Sequence, residues 1–399
     1  MVERGNEKAQ RTSFSSTPPG REGGATTAPE IARRLEAELA SGFVGREEEA
    51  RVAVLALLTK QHAVFIGEPG TAKSALIRRL SQLVQCRYFY YLLSKYTVPD
   101  EIVGAIDPVQ YRQGRFVRNT DSKLPSAELA FLDEIFKASS ETLNTILNIM
   151  NERVFVDADG TVYNCPLHSL YGASNELPTD SELAAFYDRF LLRHFVKRID
   201  ASKLEQAIIH NLNLNSNVKP VCSLAEINRI YDEVTQFMLQ NASAIAKVTS
   251  QLVIVLRQHG IFVSDRTAVS PQHLPRLIAT YSYVYNTDLR KAAITVSKYV
   301  LPSEEALESY RKALDALMPV ELREASEKLE KARDYAVAGD LASAKRYAAE
   351  AIQVAQALFS KPERVELFKD EIREVIESAE KLVQEITRIE ESLKKFKRG

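Results

Sequence analysis

The chain has 399 residues, enough for two or three domains, and its 45% hydrophobic and 26% charged content is ordinary for a globular protein. A net charge of −1 gives no bulk electrostatic case for nucleic acid or a membrane surface, although a local basic patch stays open. Cys86, Cys165 and Cys222 lie far apart without a C-x-x-C, the six histidines lack ligand spacing, and no run reaches the roughly 18 apolar residues of a membrane helix, so a disulfide framework, a zinc site, a secretory signal and membrane insertion are all disfavoured and a reducing, cytoplasmic setting is expected.

Residues 1–28 are rich in Ser, Thr, Pro, Gly and charge and are expected to be a disordered tail. Ile31, Leu35 and Leu39, at spacing four, predict a helix beginning near Pro29. A turn at Phe43–Glu47 leads into a second helix through Val54 and Leu58. From about 61 to 198, short apolar runs (Ala63–Ile66, Tyr88–Leu93, Leu129–Leu132, Leu170–Ala173) alternate with helical patterns. That alternation predicts an α/β domain over 29–200, a parallel sheet with helices on both faces, and places ligands beyond the carboxyl ends of the strands. Residues 201–302 read as an all-helical domain. Residues 303–399 are helical but richer in Ala, Glu, Lys and Arg, with breaks at Gly339-Asp340 and Pro362. They predict helices near 303–317, 320–337, 341–358 and 363–396 packed as hairpins. The last is either a coiled-coil arm or a member of a bundle.

Gly67-Glu68-Pro69-Gly70-Thr71-Ala72-Lys73-Ser74 follows an apolar strand and precedes the helix start Ala75-Leu76-Ile77. Strand, glycine loop and helix N-terminus in that order make an anion site from backbone N–H groups, suited to the phosphates of ATP. Lys73 is placed to reach the β- and γ-phosphates, and Ser74 to put a hydroxyl on Mg²⁺. Ala72 stands where the general pattern has Gly; it fits if φ there is negative. About 60 residues on, Ala130-Phe131-Leu132-Asp133-Glu134 is an apolar strand ending in two carboxylates. Beside a phosphate loop, Asp133 would help hold Mg²⁺ and Glu134 would polarise the attacking water. Asn175, after Tyr171-Gly172-Ala173-Ser174, is suited to hydrogen-bond the γ-phosphate or that water, although an Asn turn after a strand has the same appearance. Arg189, in Asp188–Arg193, would act as a finger on transition-state charge, with Arg193 a second candidate; Arg266 offers one more cation. Taken singly, each arginine also reads as a surface charge.

Together these motifs resemble the MoxR group of AAA+ ATPases over about 41–300. The stretch Phe131–Ala138, through Leu143-Asn144 to Asn151–Phe155, is very close to that group's signature and carries most of the resemblance. The resemblance implies Val44 and Gly45 beside the adenine, Gly67–Ala75 as Walker A, Asp133 and Glu134 as Walker B, Asn175 as sensor 1, Arg189 as arginine finger and Arg266 as sensor 2. An Ala before the Walker A lysine is accepted in the group. It implies that 201–302 is a lid, that Lys95 to about Pro125 is a helix-2 insert, and that 151–164, turning at Asp159-Gly160, is a pre-sensor 1 hairpin.

The function it implies is an ATP-hydrolysing chaperone that remodels protein complexes as a hexameric ring with a von Willebrand factor A-domain partner. Arg266 would then cover its own subunit's nucleotide while Arg189 enters from the next. A nucleic-acid motor is the alternative, since helix-2 inserts also occur in helicase-like relatives, but Lys95, Arg112, Arg115, Arg118 and Lys123 against Asp100, Glu101, Asp107 and Asp121 make the insert only slightly basic. A nucleotide-gated scaffold acting through 303–399 is a third reading. That segment carries no family signature; Tyr335–Ala344 vaguely resembles one tetratricopeptide-like turn.

Overall fold

The structure, a computed structural model, describes residues 26–178, 181–212, 218–317, 319–358 and 369–396. The tail expected over 1–28 lies, up to residue 25, outside the described residues, as does the break at Pro362. Helix α1 (Ala28–Ala40) starts at a capping box in which the Thr27 N–H donates to Glu30 Oε2 at 2.8 Å, and it buries Ile31, Leu35 and Leu39 on one face. Helix α2 (Glu47–Thr59) is buried from Val52 to its end.

The α/β layer runs β1 (Ala63–Ile66), α3 (Lys73–Val84), β2 (Tyr88–Leu92), α4 (Pro99–Val103), α5 (Pro108–Arg112), β3 (Leu129–Asp133), α6 (Ser140–Glu152), β4 (Val154–Val156), β5 (Val162–Asn164), β6 (Ser169–Ser174), α7 (Ser181–Tyr187) and β7 (Leu192–Phe195). Five strands form a parallel sheet in the order β2-β3-β6-β1-β7, while β4 and β5 form a separate antiparallel hairpin. Alternate side chains feed two cores. Phe65 and Phe131 enter one with α1, α2 and α3; Val64, Ile66, Ala130 and Leu132 enter the other with α4 and α6. The sheet is therefore covered on both faces, as expected. Strand β7 was not expected: Leu-Arg-His-Phe breaks the apolar run with Arg193 and His194, both of which find partners inside the protein.

After α8 (Leu204–Leu212) come α9 (Leu224–Gln240), α10 (Ala242–Gln258), α11 (Asp265–Val269), α12 (Leu274–Tyr285) and α13 (Leu289–Ser297). The buried residues of α9, α10, α12 and α13 share one continuous core with α1, α2 and a face of the sheet. The remaining helices are α14 (Glu304–Leu317), α15 (Val320–Val337), α16 (Leu341–Leu358) and α17 (Lys369–Phe396). Small residues let α15, α16 and α17 approach closely, burying Ala325, Ala332, Ala348, Ala351, Ala355 and Ala379. Ile372, Ala379 and Ile386 repeat every seven residues along the buried face of α17, so this helix belongs to a bundle and is not a free arm. Among the described residues no single helix is long and apolar enough to cross a membrane.

Candidate active site

The phosphate loop connects β1 to α3 at the carboxyl edge of the sheet. Its first residue is fixed in place: the Gly67 N–H donates to Ser174 O at 3.0 Å, and a Cβ at Gly67 would meet Val196 O at 2.3 Å. Gly70 has φ +80 with open space where a side chain would stand. Ala72, the N-cap of α3, has φ 67. The negative φ expected there is therefore corrected: the loop drives this residue into the left-handed region so that the next N–H groups turn inward. The N–H groups of Gly70 to Ala75 find no acceptor among the described residues, which is the cradle a phosphate chain needs.

The Lys73 ammonium folds back on the loop, donating to Gly67 O at 2.6 Å and Glu68 O at 2.9 Å. Burial holds its pKa below the usual lysine value, partly offset by Asp133 and Glu134. Ser74 Oγ donates to Asp133 Oδ2 at 3.1 Å, so hydroxyl and carboxylate converge on one point. Among the described residues no three His, Cys, Asp or Glu side chains are clustered to hold a metal alone. Ser74 and Asp133 fit a Mg²⁺ that takes its other ligands from phosphate and water.

Glu134, in the left-handed region at φ 53, accepts from Asn175 Nδ2 at 2.8 Å and pairs with Lys137 at 3.1 Å. Strained backbone of this kind is found where neighbouring structure fixes a side chain for use. The Val44-Gly45 turn stands beside the same edge: Gly45 has φ +72 and faces the Lys203 stem, and Arg46 donates to Lys197 O at 2.7 Å. Arg198 pairs with Glu68. Lys73, Ser74, Asp133, Glu134 and Asn175, read from separate motifs, thus meet at one strand edge.

The expected arginines lie elsewhere. Arg189 precedes β7, whose first residue donates its N–H to His62 O at the start of β1. Arg266 opens α11, donates to Asn151 Oδ1 at 3.2 Å, and carries a pKa lowered by burial and then by the Arg189 charge. His62 also feels the Arg266 charge. Both guanidinium groups therefore stand at the amino edge of the sheet, across the length of β1 from Lys73. The placement of Arg266 over its own subunit's nucleotide is corrected accordingly. Arg193 is buried against Asp188 at 3.3 Å, Val300 O at 3.3 Å and the Tyr187 ring, with no face to a neighbour. Sequence reasoning did not single out Lys137 or Asn151. Lys137 was legible as an i,i+3 partner of Glu134; Asn151 was inside the quoted signature, but its contact spans 115 residues.

The family model of the MoxR domain in MoxR-vWA-beta-propeller ternary systems matches residues 30–234, just over half of the chain. Two uncharacterized Methanocaldococcus jannaschii proteins are 39% and 38% identical over 246 and 234 residues, covering 59% and 58% of this chain and 62% and 61% of their own. The chaperone MoxR1 of Mycobacterium tuberculosis is 25% identical over 221 residues, 54% of this chain and 57% of that protein. The chain thus spans about three fifths of the length of these relatives. A crystal structure of a Cytophaga hutchinsonii protein taken to be an ATPase superposes with TM-score 0.56 at 19% identity, over 69% of this chain and 86% of the other, which bears on fold alone. Family match, parallel sheet and assembled nucleotide edge agree, and the chain belongs to the MoxR group of AAA+ ATPases.

Proposed function

We propose that the protein hydrolyses ATP at a site shared between subunits of a head-to-tail ring and uses the cycle to remodel protein complexes. The observation that carries this reading is the separation of Lys73 from Arg189 and Arg266 by the length of β1. Two guanidinium groups that repel each other at one edge suit an anion brought by another molecule. A heterologous interface repeats that composite site at each boundary and closes as a ring, here taken to be a hexamer.

In this scheme Gly67–Ala75 bind the phosphates, Val44 and Gly45 flank the base, and Ser74 and Asp133 hold Mg²⁺, which would supply charge neutralisation on the phosphates. Glu134 draws the proton of the attacking water while Asn175 orients it. Arg189 and Arg266 of the neighbour stabilise the charge that develops. Loss of the γ-phosphate frees both arginines, and Arg266 can return to Asn151 at the base of the β4–β5 hairpin.

A von Willebrand factor A-domain partner is supported by the family description, which names such systems. The nucleic-acid motor loses support because cations of the insert are used internally: Arg118 pairs with Asp157 at 2.6 Å and with Asp100, and Lys123 donates to Glu101 O. The deciding experiment is capture with Glu134→Gln protein in ATP and in ADP. A von Willebrand A-domain protein retained only in ATP supports the chaperone; retained nucleic acid, or no ATP-dependent partner, counts against it.

A further inference from the structure

Helix α8 is unusual for a helix of this composition. Leu204, Ile208, Ile209 and Leu212 are 53%, 53%, 51% and 81% exposed, and Ala207 is the one buried residue among its nine. Removing such side chains from water is favourable, so an aliphatic ridge left exposed marks a contact surface.

Its position identifies the occupant. The segment leading into α8 runs along the phosphate loop: the Val196 N–H donates to Ile66 O at 2.7 Å, Arg198 pairs with Glu68, and Lys203 stands against Gly45. The ridge therefore projects from the nucleotide edge. At the arginine edge, the loop between α10 and α11 carries Phe262, 68% exposed, beside an open groove of about 540 Å³ lined by Arg257, Ile261, Phe262, Val263 and Asp265. Val269, three residues beyond Arg266 on α11, is 75% exposed. The ridge stands to the phosphate loop as the groove stands to Arg266. One head-to-tail contact that brings Arg189 and Arg266 to a neighbour's phosphates carries the groove to that neighbour's α8.

We infer that the α8 ridge of one copy docks on the Phe262 groove of the next copy, seating the helical domain that carries Arg266 at the shared site. This rests on the composite-site reading above. The occupant is a second copy of this chain, because a groove and a ridge that flank the two halves of one site complement each other across a heterologous boundary.

The test mixes full-length Ile208→Cys with full-length Phe262→Cys protein under mild oxidation in ATP, and separately follows assembly of the double variant Ile208→Asp/Leu212→Asp. We expect a disulfide-linked dimer only in the mixture. We also expect the aspartate variant to keep wild-type nucleotide affinity and melting temperature as a dilute subunit, and to need at least roughly tenfold more protein for half-maximal ATPase, the scale of losing an interface anchor. Subunit mixing of Lys73→Ala with Arg189→Ala reports on the composite site independently. Restored ATPase in that mixture without a cross-link, or with unchanged assembly of the aspartate variant, overturns the docking inference and leaves the composite site standing. No restored ATPase, with the cross-link still formed, overturns the composite site and with it the reason given for this contact.

Discussion

Asn175 Nδ2 donates to Glu134 Oε1 at 2.8 Å, tying together the ends of the neighbouring parallel strands β6 and β3. The Lys137 ammonium stands 3.1 Å from the other carboxylate oxygen as an ion pair. Oε1 is thus hydrogen-bonded, whereas Oε2 is buried beside an ammonium and makes no hydrogen bond, which leaves it the oxygen to take a proton from water. Glu134→Gln keeps a carbonyl oxygen for Asn175 but has no basicity. It should bind ATP as the native protein does and turn over about two orders of magnitude more slowly, or worse. Fluorescent-nucleotide titration and phosphate release measure the two effects separately; native turnover in this variant would remove Glu134 from the mechanism.

The placement of the arginines makes a quantitative prediction about subunit mixing. Lys73→Ala lacks the phosphate-binding cation and Arg189→Ala lacks the finger, so each alone should be inactive. In a random one-to-one mixture, about one boundary in four joins an intact phosphate loop to an intact Arg189, so about a quarter of native activity should return. Arg266→Ala should behave as Arg189→Ala does. Arg193→Ala should instead lower the melting temperature, because removing its guanidinium strands the half-buried Asp188 and vacates the space over Tyr187. A mixture that stays inactive argues for a site complete within one subunit.

The site was legible in unequal parts. Gly67–Ser74, Asp133, Glu134 and Asn175 were readable because each ends a short apolar strand, and parallel strands deliver their carboxyl ends to one edge. The hairpin turn at Asp159-Gly160 was readable because Gly160 must take φ +86. The position of Arg266 was not, since it depends on how α11 packs on the far side of the sheet. Strand β7 was hidden for a related reason. Its Arg193 and His194 are polar in composition and buried in fact, satisfied by Asp188 and Glu49, which a local pattern cannot see. The alanine layers of α15–α17 read simply as helix formers; their close packing appears only once the helices are laid together.

Ala72 offers a test of loop strain. A residue with a Cβ at φ 67 sits about 1 kcal/mol above its preferred conformations, a cost glycine does not bear. Ala72→Gly should therefore raise the melting temperature by about 1 °C. Nucleotide affinity should change little, because the loop already adopts the glycine-like shape. A fall in melting temperature would show that the Ala72 methyl group packs more favourably than its backbone is strained.

Buried histidines set the acid limit of stability. Burial holds the His62 pKa well below its usual 6.5, reinforced by the Arg153 charge, and pushes that of His168 down to about 4. His62 Nδ1 accepts the Leu170 N–H at 3.0 Å, leaving its other nitrogen to donate to Met150 O at 3.1 Å, so the ring is held neutral. Below pH 6.5 the unfolded chain gains protons that the folded chain refuses. Stability therefore falls on acidification, by about 1.4 kcal/mol per pH unit for each such histidine, until the folded pKa is reached. For His168 the window runs from 6.5 to about 4. Between pH 7.5 and 5, above the range in which ordinary carboxylates titrate, the native protein should lose about 2 kcal/mol through His168, and His62 adds a loss of the same sign. His168→Gln preserves a partner for Asn228 Oδ1, cannot titrate, and should remove its share of that slope. Urea denaturation at pH 7.5, 6.5, 5.5 and 5.0 measures it. Parallel slopes for the native protein and His168→Gln would mean that His168 takes up its proton as readily in the folded state as in the unfolded one.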